Sequence, residues 1–387
     1  MSHGLLIVGG GLAAQRCCET LRALGHDGPI TIAGAEGAEP YDRPPLSKEG
    51  LADASADPRF RPRKWYADHA VELRLGAPAV RLQAGARTVE LAGGERLRYD
   101  DLLIATGSRT VLLPALAGFA NVQALRTLAD TRRLREALSA GAALTVIGGG
   151  LIGLEVASSA RRLGAPVTVV EAAPLPLGGL LGPEVGRRVA AWHREDGANL
   201  RLGAAPVSAR GGHAGGGGTA ERRVEEIELA DGSRLATDHV VVAVGVRPAA
   251  AWLEGSGLDP RGIPTGEGGR TALPHVFAAG DVTGGGHWEA AARQGAGVAR
   301  ALLGLPPAPP APPSFWSDQL GLRLQCIGAP AGARATIAAD ADGRSFDAVY
   351  RRDGRISAVL LAGRSAADLR AARRLLIPEP RLERSAA

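Results

Sequence analysis

Two stretches of the chain set small residues where a backbone could close around a phosphate. Gly9, Gly11 and Ala14 stand in Leu-Leu-Ile-Val-Gly-Gly-Gly-Leu-Ala-Ala, and Gly148, Gly150 and Gly153 stand in Ile-Gly-Gly-Gly-Leu-Ile-Gly. In each, the first glycine permits a tight turn out of a strand. The second lets the backbone approach a pyrophosphate, and the third small residue allows close helix–strand packing. Leu12 and Ala13, like Leu151 and Ile152, open the helix that follows, whose unpaired N–H groups and dipole favour an anion. A glycine-rich turn alone is also simply a turn. Here the order strand, glycines, helix, strand, acid occurs twice: Glu36 follows Ile30–Ala33, and Glu171 follows Val167–Val170. A carboxylate there accepts from ribose hydroxyls and repels a 2′-phosphate, so Glu171 predicts NADH rather than NADPH.

Other residues could work beside these turns. Pro40–Lys48 reads Pro-Tyr-Asp-Arg-Pro-Pro-Leu-Ser-Lys. Its prolines predict a rigid loop with a helix start near Ser47. Arg43 and Lys48 would bring positive charge toward a phosphate or an anionic ring, or else be solvated. Lys48 and Lys64 are the only lysines among 45 basic residues, and a compact ammonium is not replaced by Arg everywhere. Ala105-Thr106-Gly107 and Gly280-Asp281 end buried strands, where backbone could meet a cofactor or merely turn. His193 reads as a surface or core residue, with no partner evident. Cys17, Cys18 and Cys326 form no pair spaced for zinc or for a redox disulfide, so no metal is expected and the thiols read as small buried hydrophobes.

The elements that must position these residues follow from periodicity. Ala14, Cys17, Cys18, Leu21 and Leu24 share one helical face. Strands are expected at Val71–Leu75, Pro78–Leu82 and Leu102–Ala105, with a hairpin of Arg87–Leu91 and Arg96–Tyr99. The second fingerprint helix runs to Leu163, with further helices at Lys64–Ala70, Glu184–Glu195 and Trp288–Leu303. Gly211–Gly218 reads as a flexible hairpin tip, and the proline-rich Leu305–Pro313 as a linker. Short strands at Leu322–Ile327, Ala335–Ala338, Ala348–Arg351 and Ile356–Leu361 and a helix at Ala366–Leu376 predict a small terminal domain. With 387 residues and 45% hydrophobic content, two or three domains are expected. No apolar run reaches membrane-span length and no leader pattern opens the chain, which predicts a soluble, cytoplasmic protein. The net charge of +5 comes from scattered Arg without interleaved aromatics, which argues against nucleic acid and suits an acidic protein partner.

Together, the two fingerprints, the proline loop, Ala-Thr-Gly, Ala-Gly-Asp and Ser314–Gln319 (Ser-Phe-Trp-Ser-Asp-Gln) resemble the FAD-dependent ferredoxin reductases over essentially the whole chain. The resemblance implies an α/β fold of glutathione-reductase type with two Rossmann-like dinucleotide-binding domains and a small C-terminal α+β domain. The expected parts are an FAD domain at 1–110 and 236–313, the latter with the linker, an NAD domain at 111–235 inserted in it, and a C-terminal domain at 314–387. It places Ala14, Glu36, Arg43, Lys48, Val80, Arg126, Asp281 and Trp288 at FAD, beside Gly9, Gly11, Leu12, Ala13, Ala105, Thr106, Gly107 and Gly280. Gly148–Gly153, Glu171 and Gly245 fall at nicotinamide-cofactor positions. It implies Lys48 near the flavin ring with Glu155 as partner, and Trp316 flanking the nicotinamide. Ala35 departs from the family's usual acid, Thr283–Gly286 shortens a loop, and the C-terminus stops short of the family's length. The implied activity takes hydride from NADH onto FAD and passes single electrons to an acidic [2Fe–2S] ferredoxin, by a monomer or dimer. Alternatives are direct reduction of a small molecule, oxygen or rubredoxin, or an interaction protein switched by NADH. A disulfide reductase of the same fold would need a cysteine pair in Pro40–Lys48, which has none.

Overall fold

Leu5–Val8 is buried on both faces, as a continuous apolar run in a parallel sheet must be. In the computed structural model, which describes residues 3–212, 222–340 and 343–376, this strand is the middle of a five-stranded sheet. Its order is Val276–Ala278, Asp101–Ile104, Leu5–Val8, Ile30–Ala33, Val71–Arg74, and every pairing is parallel. The chain fills one side of Leu5–Val8 first and then crosses to the other. That reversal of strand order is where ligands bind in doubly wound sheets. The chain divides into two compact units, and this sheet belongs to the first: residues 1–114, 123–137 and 242–309.

Within the first unit, Leu12–Ala23 buries Ala13, Ala14, Cys17, Cys18 and Leu21 against Val298 and Ala299 of the helix Trp288–Leu302. The two helices touch at Gly295, where a Cβ would lie 2.2 Å from the Ala13 carbonyl. On the opposite face Ala79–Gln83, Thr88–Leu91 and Arg96–Arg98 form a three-stranded antiparallel sheet, whose Leu82, Val89 and Leu91 pack with Leu6, Val8, Leu102 and Ile104. The helix expected near Ser47 begins as a single 3₁₀ turn, Pro44–Ser47, because its prolines fix φ, and continues as Glu49–Ala52.

The second unit, residues 115–122, 138–241 and 310–387, carries strands that lie in the order Asn199–Leu202, Val167–Glu171, Leu144–Ile147, His239–Val242. It also carries a five-stranded antiparallel sheet of order Ser314–Gln319, Leu322–Gly328, Arg355–Ala362, Phe346–Arg352, Arg334–Ala339, with the helix Ala366–Leu376 on Ile327, Val359 and Leu361. Ser314–Gln319, noted in the sequence only as a motif, is therefore an edge strand. The helix expected from Glu184 starts earlier, at Gly178. It breaks at Gly182 (φ 82°), which leaves Pro183 at the head of the regular segment, where a missing N–H costs nothing. Most of the Gly211–Gly218 tract lies outside the described residues. Among the described residues no helix is long and apolar enough to cross a membrane.

Candidate functional site

The first cradle lies at the carboxyl end of the first unit's sheet. Gly9 has φ 113°, and a Cβ there would stand 2.2 Å from the Ala105 carbonyl, so both dihedral and space demand glycine. Gly11 caps Leu12–Ala23 with open space around it, no capping side chain and no acid in the first turn. The helix end therefore offers its N–H groups outward, as a pyrophosphate requires. Ala105–Gly107 and Gly280–Asp281 end the next two strands. Gly280 (φ 83°) donates its N–H to Gln294 Oε1 at 2.7 Å and approaches Ala13 closely.

The charged side chains around this cradle are tied to one another. Asp281 accepts from Ser108 Oγ at 2.7 Å and from Arg126 Nη2 at 3.2 Å. Glu36 accepts from Tyr41 at 2.6 Å and from Arg43 at 2.9 Å, and Arg43 also donates to the Arg126 carbonyl. Thr127 and Asp130 cap the helix Leu128–Ser139 reciprocally, which fixes the backbone of Arg126. Burial first, and the neighbouring Arg43 charge second, lower the Arg126 pKa. Asp42 accepts from Trp288 Nε1 at 2.8 Å, and burial raises its pKa. Val80 lies where the pairing register of its strand slips, and the bulge leaves it 47% exposed, an apolar side chain turned outward. Lys48 is half-buried between the 3₁₀ turn and the helix Glu49–Ala52, with Nζ 3.3 Å from the Pro44 carbonyl.

The second cradle repeats the design in the second unit. Gly148 has φ 111°, and a Cβ on Gly153 would stand 2.0 Å from the Gly148 carbonyl. Gly150 caps Leu151–Arg162 without a capping side chain or first-turn acid, and Ile152 is exposed beside it. Glu171 accepts from Gly149 N at 2.5 Å and from Ala173 N at 2.7 Å, so the acid braces the glycine loop. Glu155 is buried one turn further along and accepts from Ser317 Oγ at 2.7 Å. Trp316 is half-buried on the Ser314–Gln319 strand, opposite Gln325. Gly245 (φ 114°) falls in the first unit, where its carbonyl accepts from Val111.

Do these residues suit a bound dinucleotide? Each loop has a glycine that a side chain would block, and each helix end is bare of competing acids. Among the described residues, Thr106 Oγ1, just past the strand Asp101–Ile104, and Arg126 Nε, on the side chain that donates to Asp281, are buried without a hydrogen-bond partner. Buried polar atoms are normally satisfied, and a ligand is one way to satisfy them. The arrangement fits a bound dinucleotide at each cradle.

Residues 3–295 match the family model described as pyridine nucleotide-disulphide oxidoreductase, and residues 314–387 match one described as reductase C-terminal. The chain belongs to the pyridine nucleotide-disulphide oxidoreductase family. It is an oxidoreductase, and the cofactors of this family are FAD and NAD(H). It is 38% identical to the ferredoxin–NAD(+) reductase component of an anthranilate 1,2-dioxygenase system from Burkholderia cepacia, over 97% of this chain and 95% of that one. It is 35% identical to the corresponding component of a p-cumate 2,3-dioxygenase system from Pseudomonas putida, covering 90% and 87%. Among solved structures it superposes on the reductase in a covalent putidaredoxin reductase–putidaredoxin complex with a TM-score of 0.90, at 30% identity over 96% of this chain and 92% of that one. The family description includes disulphide chemistry, yet all three cysteines here are free and buried. Burial pushes Cys18 and Cys326 up to about 12 and raises Cys17 as well.

Sequence reading missed Tyr41 and Ser108, which hold Glu36 and Asp281, and the residues behind Glu155. Tyr41 lay inside the quoted proline motif and could have been found. Ser108 lies 173 positions from its partner and leaves no local signal.

Proposed function

We propose that the chain takes hydride from NADH onto FAD and passes electrons one at a time to an acidic [2Fe–2S] ferredoxin that serves an oxygenase such as a cytochrome P450. The observation that carries this reading is the presence of two complete dinucleotide cradles in one chain without a redox cysteine pair. Electrons that enter as hydride then need an acceptor outside the chain. The named relatives, which are ferredoxin–NAD(+) reductases, support a ferredoxin in that role. The net charge of +5 supports an acidic one.

When bound, FAD supplies the change from two-electron to one-electron chemistry, and the protein contributes binding, orientation and charge. Gly9–Ala14, Glu36, Arg43, Val80, Ala105–Gly107, Arg126, Gly280, Asp281 and Trp288 would hold FAD. Gly148–Gly153, Glu171, Gly245 and Trp316 would hold NADH, with Glu171 setting the preference over NADPH. Lys48 and Glu155 are the charged residues assigned to the hydride-transfer step, Lys48 offsetting negative charge that develops there. Hydride transfer needs no protein acid or base once the reactants are positioned. The test is steady NADH oxidation with a panel of iron–sulfur proteins. Turnover that rises at least tenfold with a [2Fe–2S] ferredoxin, and not with quinones, oxygen or rubredoxin, is the expected result. Equal turnover without any iron–sulfur protein would remove the ferredoxin from the reading.

A further inference from the structure

Behind Glu155 lies a row of buried polar side chains. His193, Ser317, Gln319 and Glu155 are all at most 4% exposed. His193 Nε2 is 3.1 Å from Gln319 Oε1, Gln319 Nε2 is 3.0 Å from Ser317 Oγ, and Ser317 Oγ is 2.7 Å from Glu155 Oε1. The row crosses three elements of the second unit: the helix Gly178–Glu195, the edge strand Ser314–Gln319 and the fingerprint helix Leu151–Arg162. A fourth bond, from Leu320 N to Ser158 Oγ at 2.7 Å, pins the strand's end to the same helix.

The direction of every bond is fixed by its acceptor end. A carboxylate only accepts, so Ser317 must give it the hydroxyl proton. Ser317 can then only accept from Gln319, which turns the Gln319 amide nitrogen toward Ser317 and its oxygen toward His193. His193 must donate from Nε2, leaving Nδ1 as a bare acceptor. Nδ1 is in fact a buried atom without a hydrogen-bond partner among the described residues. Four polar side chains buried together cost more than an apolar cluster of the same volume unless each is satisfied. An amide in the middle cannot relay a proton as a hydroxyl chain could, so the row conducts nothing. What it can do is orient.

We propose that Ser317, Gln319 and His193 are positioning residues that hold the Glu155 carboxylate in one orientation for the hydride-transfer step. The inference rests on the role assigned to Glu155 above. It gives the Ser-Phe-Trp-Ser-Asp-Gln strand a task beyond presenting Trp316: its alternate, inward residues Ser317 and Gln319 bring the C-terminal sheet to bear on the fingerprint helix.

Two kinds of measurement test it on FAD-replete protein. Rapid mixing with NADH should show Ser317→Ala reducing flavin about tenfold more slowly, with the dissociation constant for NADH within twofold of wild type. Ser317→Thr, which restores the hydroxyl, should stay within twofold of wild type. Gln319→Leu should lose about threefold and carries the test if Ser317→Ala does not fold. Adding Ser317→Ala to Glu155→Gln should cost nothing further. Independently of turnover, imidazole nitrogen NMR should find His193 as the Nε2–H tautomer with an exchange-protected proton, exposed to exchange in Gln319→Leu. Wild-type rates in both Ser317→Ala and Gln319→Leu while Glu155→Gln is slow, a Ser317→Thr as slow as Ser317→Ala, or an Nδ1–H tautomer would each overturn the proposal. Wild-type reduction by Glu155→Gln would instead fell the Glu155 reading, and the proposal with it.

Discussion

Arg43 donates to Glu36 at 2.9 Å while also reaching the Arg126 carbonyl, so one guanidinium joins the acid after the second strand to the segment that holds Asp281. The ion pair itself is one-third exposed on both sides, and such pairs are worth about 0–1 kcal/mol. On the proposed reading, in which Glu36 meets the FAD ribose, its larger role is to hold Glu36 in place. Arg43→Met should therefore barely change the thermal midpoint of the apoprotein yet weaken FAD binding about tenfold, read from flavin fluorescence on dilution. An unchanged dissociation constant would leave Arg43 as a loop brace only.

Glu171 braces its glycine loop through two backbone N–H groups, and each oxygen keeps a second lone pair for a ribose hydroxyl. Its charge opposes a 2′-phosphate. Wild type should prefer NADH, and Glu171→Gln, which can still accept from one backbone N–H, should raise kcat/KM for NADPH relative to NADH about tenfold. Equal use of both cofactors by wild type would turn Glu171 into a structural brace alone.

The cysteines give a sharper negative expectation. Buried thiols with raised pKa values hold almost no thiolate near neutrality. Cys17→Ala and Cys326→Ala should each keep NADH-to-ferredoxin turnover within about twofold of wild type, at about 1 kcal/mol of stability for the small cavity. Loss of turnover in a folded, FAD-replete variant would bring a thiol mechanism back.

How much of this the chain declares in advance depends on distance along it. Gly9, Gly148 and Gly153 are legible because a turn against backbone admits no other residue, and that requirement is local. The core face of Leu12–Ala23 is legible because it repeats every turn, but Leu24, expected on that face, lies just past the helix end and is exposed. The start of the helix at Gly178 is not, since Gly178, Gly179, Gly182 and Pro183 all lower helix propensity and packing overrides them. Val80's exposure depends on a register slip between two strands, which no pattern in one strand encodes. The Ser317–Glu155 and His193–Gln319 bonds join residues 162 and 126 positions apart. His193 read as a surface or core residue because its partner is brought to it only by the C-terminal sheet.

His193 also predicts a pH dependence of stability. Burial lowers its pKa more than the Gln319 bond raises it. A depressed histidine pKa means the unfolded chain binds the proton more readily. The stabilisation is present above the unfolded value near 6.5 and is lost as the pH falls through the lower folded value. His287, also lowered by burial, adds in the same direction. His193→Gln should flatten the acid side of the midpoint-against-pH curve, differing from wild type in slope below about pH 6.5 and not above it. Parallel curves would mean that His193 titrates as it does in the unfolded chain.

Lys48 carries the last prediction. Its backbone carbonyl accepts from Leu51 and Ala52, so it heads the short helix after a proline-locked turn, and its stem is half-buried. A rigid mount of this kind suits a charge that must sit at a fixed place, whereas a solvated helix-start lysine would not need one. In a chain with only two lysines, the choice of a compact ammonium over Arg points the same way. Lys48→Met keeps most of the side-chain volume and removes the charge. If the ammonium stabilises negative charge developing as hydride arrives, losing a charge-assisted bond of about 1.5–3 kcal/mol slows flavin reduction by about one to two orders of magnitude. The same loss should lower the flavin's reduction potential, since the reduced, more negative form loses its countercharge while the oxidised form does not. Stopped-flow reduction by NADH and a potentiometric titration of the FAD-replete variant measure both. Lys48→Met that reduces at the wild-type rate with an unchanged potential would leave Lys48 only its place in the loop.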